Sequence, residues 1–293
     1  MTMDKLLASS ALFAMHPTFL AAILKSGTFE AMLPESLAQL AAMMTGGAQA
    51  AKPADPIREG STLILPVTGM LAPRGLGGTT YYDTISDRVR EASADPKVGA
   101  IVMPIRSPGG YVWGCAEAGD AIFEARQSKP VVAVADPYCF SAAYWLGTQG
   151  SAFYCTTSGE VGSVGVRSGH TDMSGFESKI GMVTTLIASS PDKIAGHPYA
   201  PLSDEDRAEI QAMVDESNVA FAAAIARGRG MKAGDVAAVH GTGKTFTAPT
   251  AVANGAIDGV MTLRDVVAKY NTGRARLSLM RRQAAALEMA LSI

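Results

Sequence analysis

The sequence predicts an α/β fold, and three features carry that expectation. Short apolar runs recur, each bounded by Gly, Pro or charge: STLILPVTG (61–69), GAIVMPI (99–105), KPVVAVAD (129–136) and MVTTLIAS (182–189). They are continuous rather than alternating, the pattern of strands buried on both faces. Between the early runs lie amphipathic stretches, YYDTISDRVREASAD with Ile85 and Val89, and WGCAEAGDAIFEARQ with Ala118, Ile122 and Ala125. Strand-like and helix-like segments in alternation give βα units.

The other elements follow in chain order. LLASSALFAM, TFLAAILK and LPESLAQLAAMM read as short helices, and GGAQAAKPADP as a small, polar, proline-bearing linker. Together they define an N-terminal helical segment and linker over residues 1–56. The main α/β domain then covers 57–270. Within it, Ser203 followed three residues later by Asp206 is a helix-start signal. Ile210, Met213, Val214, Ser217, Phe221, Ala224 and Ile225 mark one face of the helix it opens, and RGRG ends it. Residues 271–293 carry Arg274, Arg276, Arg281 and Arg282 before AAALEMALSI and read as a basic helical tail.

Composition excludes several classes. Of 293 residues, 48% are apolar and 18% charged, which rules out a disordered chain. A formal charge of −2 gives no electrostatic case for nucleic acid as a partner. Cys115, Cys139 and Cys155 cannot all pair and lack metal-ligand spacing, so free thiols in a reducing compartment are expected. The apolar run 6–15 resembles a leader, but Asp4 precedes it and no small-x-small cleavage site follows. No apolar stretch approaches the ~20 residues of a membrane span. The expectation is a cytoplasmic protein without a membrane anchor.

Four motifs bear on chemistry. HGTGKT (240–245) resembles a phosphate loop but has Ala238 where the first glycine belongs, so no nucleotide site is assigned. SPGG (107–110) follows the run GAIVMPI, and its glycines place unobstructed amides at a strand end. Such amides form a bare turn or hold an oxyanion. Ser141, in YCFSAAY after the run KPVVAVAD, stands where a helix N-cap or a nucleophile would stand. A nucleophilic serine needs a base, and none of His16, His170, His197 and His240 has an evident Asp partner in sequence. Lys193, in the loop SSPDKIAGHPY, is the alternative base, effective only when held neutral; a solvated surface lysine is the plainer reading.

Taken in order, SPGG, KPVVAVAD, FSAAYWLG, VGSVGV and IAS..DKIAGHPYAPLS resemble the signal peptide peptidase A family of serine–lysine peptidases. ALFAMHPTFLAAIL, RSGHTDMSGFESKIGMVTTLI and TAPTAVANGAIDGVMTL are similar to its phage head-maturation (prohead) protease branch, so the resemblance spans roughly residues 10–270. It implies a ClpP/crotonase-like fold of stacked βα units over 57–270. It also implies Ser141 as nucleophile, Lys193 as general base, and Gly110 and Ala142 as oxyanion-hole amides. Gly109 supports that turn, and Ser163 is the hydroxyl that orients the lysine. No metal or organic cofactor is implied. The implied partners are scaffold and capsid polypeptides, the chain's own termini, and further copies of itself in a ring or dome. Ser189-Ser190-Pro191-Asp192-Lys193 departs from the Gly-Lys-x-Lys-like approach common in the family. Lys179 falls in a predicted helix and matches no catalytic position, and Cys139 reads as a core thiol.

Three other readings share these residues. A bacterial signal-peptide peptidase would keep the chemistry and add a membrane anchor. An inactive scaffold or shell protein would keep the fold, although Ser141 and Lys193 are both present. A crotonase-type acyl-CoA enzyme would need catalytic carboxylates instead.

Overall fold

A computed structural model describes residues 13–15, 55–76 and 79–271. The helix expected over LLASSALFAM is corrected at its end, where Phe13–Met15 is extended and pairs into a sheet; the rest of the short helices expected before residue 50 and the tail expected after 271 lie outside the described residues. The architecture is the expected α/β stack of βα units. Its strands are β1 (Phe13–Met15), β2 (Ile57–Glu59), β3 (Thr62–Ile64), β4 (Val67–Thr68), β5 (Leu71–Ala72) and β6 (Thr80–Tyr81), then β7 (Ala100–Ser107), β8 (Gly109–Tyr111), β9 (Val131–Phe140), β10 (Ala152–Cys155), β11 (Glu160–Gly162), β12 (Thr245–Thr247) and β13 (Gly259–Val260). Helices α1 (Tyr82–Ala94), α2 (Cys115–Ser128) and α3 (Ala142–Thr148) follow β6, β8 and β9. Helices α4 (Ser174–Ile180), α5 (Asp204–Arg229), α6 (Val236–His240), α7 (Ala248–Ala253) and α8 (Leu263–Tyr270) complete the set.

The chain divides into two compact units. Among the described residues, the first holds Phe13 and Val166–Val219, and the second holds 14–15, 55–76, 79–165 and 220–271.

In the second unit the larger sheet runs β12-β11-β9-β7-β3-β2. Its centre is parallel: β7 and β9 pair from Ile101↔Val131 to Ile105↔Ala135. Strand β9 is long enough to take two neighbours on one edge. Its first half pairs with β10 (Val132↔Ala152) and its last residues pair with β11 (Phe140↔Gly162). Ile101, Val102, Met103, Val132 and Val134 are all fully buried, as their unbroken apolar runs require. On one face Val102, Val132 and Val134 meet Val266 and Val267 of α8. Each such buried side chain contributes about 1.5–3 kcal/mol relative to exposure. A smaller sheet, β1-β8-β5-β6, carries the SPGG segment.

Helices α1 and α2 form from the spacing noted above: Ile85 and Val89 of α1, and Ala118, Ile122 and Ala125 of α2, are buried on one face. Lys129, at the start of the run KPVVAVAD, is buried and donates from Nζ to the carbonyls of Ala92 (2.8 Å) and Asp95 (2.6 Å). It thus satisfies the orphan carbonyls at the end of α1. Arg126 does the same elsewhere, donating from Nη1 to Gly150 O and Gly228 O, both at 2.8 Å. This ties the end of α3 to the end of α5. Gly228 permits that approach, since a Cβ there would lie 2.2 Å from Thr148 O. Phe221 stacks on Trp145 at 4.9 Å.

In the first unit α5 begins as expected, with the Ser203 hydroxyl accepting from the Asp206 amide at 3.0 Å. The predicted apolar face is only partly realised. Phe221, Ala224 and Ile225, in the second unit, are buried, whereas Ile210, Met213 and Val214 are half-buried. The strand expected over 182–189 does not form: the segment is irregular, with Val183 90% and Ile187 95% exposed. An apolar run becomes a strand only when a neighbouring edge pairs with it, and no described strand does so here.

His240 closes α6 and is fully buried, hydrogen-bonded through Nδ1 to the Tyr144 hydroxyl at 2.5 Å. Burial, and secondarily the charge of Arg229, lowers its pKa to about 4. The folded protein therefore holds His240 neutral while the unfolded chain takes up a proton near 6.5. Its contribution to stability is complete above that pH and is lost as the pH falls from about 6.5 to about 4. Thermal unfolding at about pH 7.5 and about pH 4.5 should show a smaller fall in Tm for His240→Gln than for the unsubstituted chain.

Candidate active site

Strand β9 ends at Phe140, and the next residue turns the chain into α3. That residue is Ser141, with φ 55° and ψ −123°, a left-handed conformation that favours glycine. Two backbone bonds hold it: its amide donates to Gly162 O at 2.8 Å, and its carbonyl accepts from the Trp145 amide at 2.9 Å. Ser141 is 1% exposed, and Oγ has no hydrogen-bond partner.

The sequence left open whether Ser141 caps a helix. It occupies the N-cap position, but its side chain makes no capping bond. A capping side chain requires an extended backbone, which φ 55° does not provide. The hydroxyl is thus neither a cap nor a satisfied core group. A buried, unpartnered hydroxyl on a strained backbone is a cost that stability alone does not explain.

Ala142 opens α3, where an amide has no acceptor one turn back. Helix α3 packs against β8, the strand that carries Gly110. Both glycines of SPGG are required, for different reasons. Gly109 has φ 102°, and its amide donates to Ser107 Oγ at 3.1 Å, while that hydroxyl donates to Gly69 O at 2.7 Å. Gly110 sits opposite Leu71, where a Cβ would come 1.8 Å from Leu71 O. The Gly109 amide is therefore engaged, contrary to the expectation that both are unobstructed. Of the two, Gly110 is the one that the resemblance implies for the oxyanion hole.

Ser163 is also buried in a left-handed conformation, φ 58°. Because Phe140 pairs with Gly162, Ser163 comes next to Ser141 in the same register. The Ser163 amide donates to Lys244 O at 2.8 Å. Lys244, in HGTGKT, directly precedes β12, a strand too short for periodicity to reveal.

Ser141, Ala142, Gly109, Gly110 and Ser163 thus all belong to the second unit. Lys193 belongs to the first, in the 3-10 turn Pro191–Lys193, and is exposed, as is Asp192. Lys179 lies in α4, as expected. Burial pushes the Cys139 thiol well up, so it stays protonated, consistent with a core thiol. Among the described residues no group of His, Cys, Asp or Glu could hold a metal ion, and no helix is long and apolar enough to cross a membrane.

The backbone of Ser141 generates a direct prediction. Ser141→Gly removes the left-handed strain and the unpartnered hydroxyl together. The variant should be more stable by about 1 kcal/mol, a rise in Tm of a few degrees in thermal unfolding. An unchanged or lower Tm would mean that the serine conformation carries no strain.

Comparison with known proteins identifies relatives of the chain. The chain is 31% identical over 245 residues to the head-tail preconnector protein GP5 of Enterobacteria phage P21, covering 82% of this chain and 48% of that protein. It is 34% identical over 164 residues to the capsid assembly protease C of Escherichia phage lambda, covering 54% of this chain and 37% of that protein. Protease 4 of Salmonella typhi is 29% identical over 202 residues, 69% of this chain and 32% of the relative. The chain therefore spans about half, or less, of the length of these relatives. The model of peptidase family S49 matches residues 124–277, just over half of the chain and the stretch that holds Ser141, Ser163 and Lys193. The chain belongs to peptidase family S49.

Proposed function

We propose that the protein is a serine endopeptidase that uses a Ser141–Lys193 dyad. The observation that carries this reading is the Ser141 hydroxyl, buried and unpartnered on a strained turn at the end of β9. Lys193 Nζ, when neutral, takes the proton from Ser141 Oγ as that oxygen attacks a peptide carbonyl carbon. The tetrahedral oxyanion accepts from the amides of Gly110 and Ala142. The protonated lysine then gives its proton to the leaving amine as the C–N bond breaks. Water, deprotonated by the same lysine, hydrolyses the acyl-enzyme and frees Ser141. Ser163 acts on the lysine as a hydrogen-bonding neighbour that offsets its desolvation.

The substrates we infer are scaffold and capsid polypeptides of an assembling phage head, together with the chain's own termini. Support comes from the similarity to the lambda relative, a capsid assembly protease. The protein works as a homo-oligomer, in the cytoplasm of the host cell, and without a cofactor. A shell or connector component without activity is the second reading, favoured by the name of the phage P21 relative, a head-tail preconnector.

Cleavage of a scaffold-type polypeptide, followed by intact mass, separates the two. The unsubstituted chain should cut it, and Ser141→Ala and Lys193→Ala should each lower the rate by about a thousandfold or more. Equal cleavage by all three would refute the dyad. An inert unsubstituted chain, tested as its native oligomer, would favour the shell component.

A further inference from the structure

We propose that Lys244 is a substrate-binding residue of this site, one that anchors a carboxylate of the polypeptide being cut. The inference rests on the peptidase reading above and adds a specificity to it. It begins with strand register. Strand β11 pairs parallel with β9 through Gly162↔Phe140 and antiparallel with β12 through Gly162↔Thr245. One residue beyond those pairs, Ser141, Ser163 and Lys244 form a row across three adjacent strand ends. Two backbone bonds confirm the row: Ser141 N to Gly162 O and Ser163 N to Lys244 O, each 2.8 Å. Neighbouring strands stand about 4.8 Å apart, so the Lys244 backbone lies about 10 Å from that of Ser141. A four-carbon stem spans much of that distance.

The chemistry of the position points to an anion. Lys244 is exposed, and no acidic side chain among the described residues pairs with it. The loop before it is open at Gly243, which at φ 95° has nothing within 4 Å of where a Cβ would be, while Gly241, at φ 75°, stands against the Phe246 ring. The segment HGTGKT lacks the first glycine of a phosphate loop. Its glycines let the chain turn sharply so that Lys244 arrives beside Ser163. A solvated lysine at this row sets a positive charge at the rim of the nucleophile's strand end, where an extended polypeptide carries its side chains. A carboxylate there comes from an Asp or Glu side chain or from a chain terminus. An exposed pair of this kind is modest in strength, a few-fold in affinity, and weakens as salt rises.

The test uses the full-length protein and a peptide series based on any sequence it cuts. One glutamate is walked through the positions on both sides of the scissile bond, each peptide is matched by its glutamine counterpart, and each is made with a free or amidated C-terminus. The expected result is a KM about three- to fivefold lower for glutamate at one position, or for the free C-terminus, with kcat little changed. Which arm shows the preference identifies the source of the carboxylate. Lys244→Met should bring the glutamate-to-glutamine KM ratio to about one, Lys244→Arg should restore it, and raised salt should shrink it in the unsubstituted chain. A ratio that survives in Lys244→Met overturns the proposal. So does inactivity of Lys244→Met toward every peptide, which would assign the lysine to the chemistry itself. Turnover by Ser141→Ala at the unsubstituted rate would instead overturn Ser141 as the nucleophile on which this inference rests, and the two failures are distinct.

Discussion

The conformation of Ser141 is the constraint on which the rest of the second unit depends. A non-glycine residue in this left-handed region costs about 1–3 kcal/mol and persists only where its surroundings over-determine it. Here both sides of the residue are fixed. The β9–β11 ladder captures its amide through Gly162, and the first turn of α3 captures its carbonyl through Trp145. A fully buried α3 behind it, with Trp145 stacked on Phe221 and Tyr144 bonded to His240, cannot rotate to relieve the turn. The strain is small beside the burial that opposes it, since a single core side chain contributes a similar amount.

Close backbone approach explains where three of the glycines stand. Gly110 admits Leu71 O, Gly162 admits Lys244 O, and Gly228 admits Thr148 O, each at a distance that no Cβ could share. These are not one flexible patch. Each glycine lets two pieces of backbone approach more closely than side chains permit: β8 to β5, β11 to the residue before β12, and α5 to the end of α3. Glycine there lends rigidity to the site rather than freedom, because the space it leaves is filled by a neighbour's carbonyl.

What was legible in the sequence follows from where the forces are local. β7, the start of β9, α1 and α2 rest on continuous or periodic apolar runs, so their existence could be read directly. SPGG and YCFSAAY were legible as candidates because Gly, Pro and an isolated hydroxyl are conspicuous after an apolar run. β11 and β12 were not, because three-residue strands owe their existence to a partner rather than to a pattern. The run at 182–189 shows the converse: its composition is strand-like, but no edge among the described strands receives it. The capping question at Ser141 could not be resolved from residue type, since the answer lies in φ and ψ, which tertiary contacts impose.

The two serines on left-handed backbone, Ser141 and Ser163, are neighbours in one register, and this is a single structural fact rather than two. Strands β9 and β11 run parallel, so both leave the sheet at the same end. In open α/β sheets that end, the carboxyl end of the strands, is where side chains are free to meet a ligand. Both chains turn there, and the turns set the backbones of Ser141 and Ser163 side by side. Strand β12 runs the other way and enters the sheet at that rim, so its first residues, not its last, face the same place. That is why a lysine preceding β12 shares a row with serines that follow β9 and β11. Residues far apart in sequence converge because parallel and antiparallel pairing bring opposite ends of their strands to the same edge of the sheet.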